Sequence, residues 1–219
     1  MTTESGQRRR EAIIDAALSR FLEQGVTATT LKEIQRDSSS SNGSLFHYFK
    51  SKEALAGAVY ADSAARHQRA FLEELGRHDD AEGAVKGIVR MHLAWCVENP
   101  GMARFLATVS EPAILEAADR ELKEGNERFA AALRAWWRPH AHYGSLRPLT
   151  APQSLALWLG PAQEWVRAWL LGAFAEPPSK AEAEMLADAA WLCLRANDDD
   201  PAETEGAGAA KPLAGPRAG

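Results

Sequence analysis

An all-α fold is predicted by three features of the sequence. Apolar residues recur at helical spacing in segment after segment, as in Ile13/Ala17/Phe21 and Ile14/Leu18/Leu22. The breaks between these segments are Gly, Pro or Asp clusters preceded or followed by capping residues. No stretch alternates apolar and polar residues with a period of two, so strands have no support.

The elements follow in order. Residues 1–6 are polar and expected to be mobile. Arg8, Arg9 and Arg10 stand just ahead of a helix running from about Arg10 to Gln24, which Gly25 ends as a left-handed stop. The cations read equally well as a solvated helix start or as an arm reaching phosphates. Thr30 caps a second helix, with Glu33 three residues on completing a capping box. Leu31 and Ile34 share its inward face. Ser41 caps a third, carrying Leu45, Phe46 and Phe49. Asn42-Gly43 is a hairpin signal in isolation, but its flanks SSSS and SLFHYF do not alternate, so it opens a helix instead. A helix of about eight residues cannot stabilise itself. Such an element is retained when its outward face must fit something narrow, and the DNA major groove is the leading candidate.

The next helix covers 53–75, with Gly76 to Asp80 as a break. Residues 81–98 form a helix ending at Asn99-Pro100, Pro100-Gly101 opens a short one through Val109, and 113–138 form a long one. Pro139 to Pro152 is read as a loop, and 153–173 and 180–196 as two last helices. Residues 197–219, acidic and then rich in Ala, Gly and Pro, are expected to be a disordered tail. The domains expected are a head at 1–53, a linking helix and break at 54–80, and a body at 81–196.

The 219 residues, 46% hydrophobic and 25% charged, suit a soluble globular chain with a sizeable core. No basic-apolar leader or long uncharged run is present, so a cytoplasmic protein is expected, with no membrane partner. Cys96 and Cys193 sit in apolar patterns and read as buried thiols. The net charge of −5 divides unevenly. Residues 1–53 hold eight Lys/Arg and seven Asp/Glu and are +1, leaving −6 on the rest. A head that weakly basic must rely on a few placed cations rather than a broad patch.

The order of Phe21, Gly25, Thr30, Ile34, Ser41, Gly43, Leu45, Tyr48-Phe49, Ser51-Lys52-Glu53 and Leu55 resembles the helix-turn-helix of the TetR family of transcriptional repressors. The resemblance covers about a quarter of the chain. It implies an N-terminal three-helix DNA-binding domain and a C-terminal helical domain that binds a ligand and dimerises. It also implies DNA contacts at Asn42, Gly43, Ser44, Phe46, His47, Tyr48 and Lys52. By chemistry, Asn42, Ser44 and His47 can bond base edges, while Tyr48, Lys50 and Lys52 suit phosphates. The capping residues Thr30 and Ser41 complete the expected DNA-facing set.

This chain departs from the family pattern at Gln35, Ser38-Ser39-Ser40 and Ser44. Ser39 stands where a Gly usually supplies a positive φ, and Ser40 where an apolar side chain plugs the turn. A looser turn is expected, its hydroxyls bonding local backbone. Phe46 lacks the hydroxyl of the commoner Tyr.

All seven tryptophans lie in the body. Met91, Trp95, Met102, Phe105 and Trp158 are candidates for lining a cavity for a small apolar or aromatic effector, against the plainer reading of helix-packing core. Small residues among the bulky ones in 153–173 and 180–196 favour close helix approach, and the family dimerises through its last two long helices, so a homodimer is expected through these segments. His92 and Cys96, four apart on one helix, and His140 and His142 lack a third ligand at telling spacing, so no metal site is assigned. There is no phosphate-binding Gly loop, nucleophile elbow or cofactor motif, and no enzymatic activity is expected.

The function so implied is a repressor binding a palindromic operator as a homodimer, released when an effector in the body changes the separation of the heads. The alternatives are a helical DNA-binding regulator without an effector (a constitutive repressor or an activator), and a small-molecule carrier or enzyme that kept the head for structural reasons.

Overall fold

The computed structural model describes residues 4–197. The described residues form nine helices: α1 (Glu4–Ala28), α2 (Leu31–Asp37), α3 (Asn42–Tyr48), α4 (Lys52–Leu75), α5 (Ala81–Glu98), α6 (Pro100–Thr108), α7 (Pro112–His142), α8 (Ala151–Leu170) and α9 (Lys180–Leu194). Among them no strand occurs, only one isolated bridge between Leu146 and Arg195. The expected tail lies, apart from Asn197, outside the described residues.

Several ends differ from expectation for local reasons. The polar start is already helical from Glu4, supported by Gln7–Glu11 and Arg8–Glu4 bonds four residues apart, both 2.9 Å. Gly25 has φ 79° and ψ 161°, a conformation reserved for glycine; it breaks α1, yet a last turn continues to Ala28. α7 does not stop at Arg138. Pro139 lies in its last turn, where only one helical N–H is lost, and the helix closes at Gly144 (φ 73°), with Ser145 donating back to His140 at 2.8 Å. Caps fix the other starts: Asp80 accepts from Gly83 at 2.7 Å, and Thr150–Gln153 and Ser179–Glu182 form capping boxes.

The chain divides into two compact units. Among the described residues, the first holds Glu4–Ala65 together with Gly101–Glu124, and the second holds Arg66–Pro100 and Gly125–Asn197. Residues 54–65 and 101–124 join the head because they complete its core. Ile13, Ile14, Phe21, Ile34, Leu45, Phe49, Leu55 and Val59 pack there with Phe105 and Ile114. Phe105 stacks on Phe21 at 5.8 Å between ring centres.

Gly57 marks the tightest approach in this unit. A Cβ there would stand 2.5 Å from Ala117 Cβ and 2.9 Å from the Ala118 backbone nitrogen, and neither can swing aside. Gly57→Ala is therefore expected to cost about 1–3 kcal/mol, seen as a Tm lowered by roughly 3–10 °C. An unchanged melting curve would contradict this account of the contact.

In the second unit α5 packs against α8 and α9, and α8 against α9. Its centre is aromatic: Trp158 is fully buried, meets Phe71, Trp136 and Trp137, and donates its indole N–H to Val85 O at 2.9 Å. Cys96 is buried but Cys193 is exposed, which corrects the reading of both as buried thiols. Glu164 and Arg167 meet at 2.5 and 2.8 Å, but both are about half exposed, so the pair contributes only tenths of a kcal/mol. No helix among the described residues is long and apolar enough to cross a membrane.

Candidate nucleic-acid interface

α2 and α3 are each seven residues long, so their positions are set by anchors rather than by their own helicity. α2 is held at its start by the Thr30–Glu33 capping box, whose bonds also keep the Glu33 carboxyl below the usual carboxylate range. At its end Asp37 takes the Arg20 guanidinium from α1, and that bond is the main reason the Asp37 carboxyl also stays low. Ile34 fills the core side.

The turn follows the serine substitutions. Ser39 has φ 51°, the left-handed conformation usually left to glycine. Ser38 and Ser40 pair through their hydroxyls at 2.9 Å, and Ser38 Oγ also lies 3.3 Å from Gln35 O, so the hydroxyls are satisfied locally. Removing the side chain at the strained residue should stabilise: Ser39→Gly is expected to raise stability by about 1 kcal/mol, a gain of roughly 2–4 °C in Tm. A Tm that stays put or falls would rule out strain at that residue.

Ser41 caps α3, accepting from Ser44 N–H at 3.1 Å. Leu45 and Phe49 point into the core, at 1% and 2% exposure. Asn42, Gly43, Phe46 and His47 are consequently exposed, with Ser44 partly so. Of the expected DNA-facing set, these five and Ser41 lie together on α3 and its cap.

Four others have structural bonds. Thr30 Oγ1 is occupied by Glu33 at 2.7 Å. Tyr48 donates its hydroxyl to Gly6 O at 3.1 Å, tying α3 to the start of α1. Lys52 donates to Thr27 O at 2.7 Å and Thr29 O at 3.1 Å, covering carbonyls at the end of α1. Lys50 folds back onto Phe46 O at 3.2 Å. The arginine cluster is likewise built into α1 rather than forming a free arm. Arg8 pairs with Glu4, while Arg10 lies 5.4 Å from the Phe49 ring centre and 2.9 Å from Glu121.

The sequence reading passed over the outward face of α2. Lys32, Gln35 and Arg36, spaced at i, i+3 and i+4, lie opposite Leu31 and Ile34, and with Thr30, Ser39 and Ser40 they line an open recess of about 620 Å³. The i, i+3, i+4 spacing of Lys32, Gln35 and Arg36 is itself legible in the sequence.

The five candidate effector residues separate. Met91 and Trp95 line a shallow groove of about 350 Å³ with Ala70 and Gly87. Trp158 is sealed in the second unit's core, whereas Phe105 belongs to the head's core and Met102 lies on α6 of that first unit. A polar cluster adjoins Trp95, adding His67 to the His92 and Cys96 that the spacing puts on one helix: His67 Nε2 lies 2.8 Å from His92 Nδ1, and His92 Nε2 lies 4.0 Å from Cys96 Sγ. Burial lowers the His67 pKa to about 4; burial, then the neighbouring His67, lowers that of His92 to about 3. Burial also pushes the Cys96 thiol up to about 12, so it stays protonated.

A short capped helix braced by two others, with its apolar side chains inward and its polar ones outward, is the architecture of a helix-turn-helix regulator. Residues 13–59 match the family described as bacterial regulatory proteins, tetR family. Over 54 residues it is 37% identical to the HTH-type transcriptional repressor KstR2 of Mycolicibacterium smegmatis, 25% of this chain and 26% of that one. Over 67 residues it is 34% identical to KstR2 of Rhodococcus jostii, 31% of this chain and 29% of that one. The sequence match thus spans less than a third of either repressor. The backbone likeness runs further: a TetR family transcription regulator from Marinobacter aquaeolei VT8 has a TM-score of 0.69 at 20% identity, over 86% of this chain and 96% of that one.

Proposed function

We propose that the protein is a cytoplasmic repressor that binds a palindromic DNA operator as a homodimer and leaves it when a small apolar or aromatic effector binds. The observation that carries this reading is the polarity of α3: Leu45 and Phe49 anchor it, so Asn42, Ser44 and His47 face outward, where base edges can be read. One seven-residue helix reaches few base pairs, and a two-fold pair reading half-sites about one DNA turn apart gives useful specificity. Met185 and Leu192 on α9, with Leu171 and Phe174 just beyond α8, are exposed apolar side chains, as expected if α8 and α9 form the dimer face.

The filled aromatic centre of the second unit favours one rival, a DNA-binding regulator with no effector. The two differ in a single observation, because only an effector-controlled repressor is released from DNA by a small molecule. That molecule can lower DNA affinity only through its differential affinity for the bound and released states.

The test is a duplex selected from a random-sequence pool for tightest binding. Asn42→Ala and His47→Ala are each expected to weaken binding to it by about 1–3 kcal/mol, with the melting temperature unchanged. Undiminished affinity in both variants would remove α3 from the readout, and failure of the protein to select any duplex would refute DNA recognition altogether.

A further inference from the structure

We propose that Trp137 selects the effector: a neutral aromatic molecule whose carbonyl oxygen, or a lone pair of that kind, accepts the Trp137 indole N–H. The inference rests on the effector-controlled reading above and adds to it the chemical class of the molecule and the residue that recognises it.

Trp137 stands on α7 in the second unit and is 9% exposed. Its Nε1 is the one buried side-chain nitrogen or oxygen without a hydrogen-bond partner among the described residues. An N–H buried and unpaired weakens a fold, so each such group calls for an acceptor from somewhere. Trp158, whose ring centre lies 5.9 Å from that of Trp137, is buried more deeply still and does have one, Val85 O at 2.9 Å. The rings that flank Trp137 cannot help. Trp158 and Trp136, the latter 6.1 Å away, are indoles, and an indole nitrogen donates but does not accept.

These surroundings define what fits. Trp136, Trp137 and Trp158 lie within 6.1 Å of one another and favour a flat apolar body packed among their faces and edges. A carboxylate would suit the N–H, but neither flanking ring carries a charge, and the arginines one turn to either side, Arg134 and Arg138, are exposed. Burying a charge without a partner is costly. A cation would be drawn to the ring faces and repelled by the N–H. A neutral ring bearing a lone pair meets both demands. The cluster also reaches the surface: Trp136 is half-buried and lies 4.6 Å from the half-buried His140 ring, which makes Trp136 the side chain an entering molecule displaces. The shallow groove at Met91 and Trp95 contains no comparable unpaired donor.

The experiment uses probes matched in shape that differ in the acceptor: acetophenone against ethylbenzene, and coumarin against naphthalene. Affinities for the full-length chain are measured by calorimetry. Wild type is expected to bind the carbonyl member of each pair about three- to tenfold more tightly than its hydrocarbon. In Trp137→Phe, which keeps a ring and loses the N–H, that preference should fall to about one. Trp169→Phe, half-buried on α8, should retain the wild-type preference. Indole N–H resonances of wild type, followed by NMR with the Trp137 peak assigned by its absence from the variant, give a readout that stands if Trp137→Phe folds poorly. The Trp137 peak should move downfield with acetophenone or coumarin and not with their hydrocarbons. A Trp137 peak unmoved by both carbonyl probes would overturn the proposal, as would a carbonyl preference that survives in Trp137→Phe. A cross-peak to a long-lived water with no response to the probes would overturn it too, giving the N–H to the water. Release of the selected duplex is followed in parallel by fluorescence anisotropy. Probes that shift the Trp137 peak and leave DNA bound would sink effector control while the contact stands; release with no shift would keep effector control and remove Trp137 from it.

Discussion

Leu45→Ala is expected to lower the melting temperature by roughly 5–15 °C and to abolish DNA binding. The side chain is 1% exposed in the head's core, and losing its buried methyl groups costs about 2–5 kcal/mol including the cavity left behind. The functional loss should exceed the loss of global stability. α3 has seven residues and holds its place through Leu45 and Phe49, so truncating one removes much of what keeps the helix ordered at temperatures where the rest of the chain is folded. Hydrogen exchange should accordingly speed up in residues 42–49 before it does in α5 or α9. The comparison with His47→Ala separates the two roles on one helix: that exposed side chain should change binding and leave both Tm and exchange alone. If Leu45→Ala melts within a degree of wild type, α3 is held by something other than this anchor.

The contrast between Leu45 and His47 also shows why so much of this fold was readable in the sequence. Helical spacing and caps are local, so α5 runs from Ala81 to Glu98 as expected, and the starts of α2, α3 and α9 fall beside Thr30, Ser41 and Ser179. The inward or outward sense of each α3 residue follows from spacing against Leu45 and Phe49. Partnerships between distant segments carry no such local mark. Nothing near Lys52 announces that its ammonium will cover the carbonyls of Thr27 and Thr29, twenty-odd residues back. Nothing near Tyr48 points to Gly6. Phe105 follows the break at Gly76 and so reads as part of the body, yet its ring completes the head's core against Phe21. The end of α7 was hidden for a different reason: a proline disfavours a helix interior, although α8 runs on through Pro161, and is tolerated near an end, and the sequence does not show how far Pro139 stands from that end.

Acid should destabilise the second unit well above the pH at which carboxylates titrate, through the His67–His92 pair. Both imidazoles have folded-state values, about 4 and about 3, below the ordinary 6.5, because burial disfavours the charged ring and a second charge beside the first is worse still. The folded protein therefore refuses protons that the unfolded chain accepts. Above pH ~7 both states are neutral and the pair's contribution is fully present. As pH falls through 6.5 the unfolded chain is stabilised, and stability is lost until the folded rings protonate near pH 4 and below. With two protons involved, the steepest loss is about 2.7 kcal/mol per pH unit. Lowered carboxylates such as Glu184 and Glu182 also weaken the fold in acid, but they do so below about pH 4.5, so the interval from 6.5 to 4.5 belongs to the histidines. The measurement is urea-induced unfolding at half-unit pH steps, for wild type and for a variant carrying His67→Gln and His92→Gln, whose amides can still hydrogen-bond each other. The variant should start less stable at pH 7.5 and show a nearly flat profile between 6.5 and 4.5, where wild type falls steeply. Parallel profiles would mean that the two rings are hydrated enough in the folded protein to take up protons freely, and the neutral buried pair would have to be abandoned.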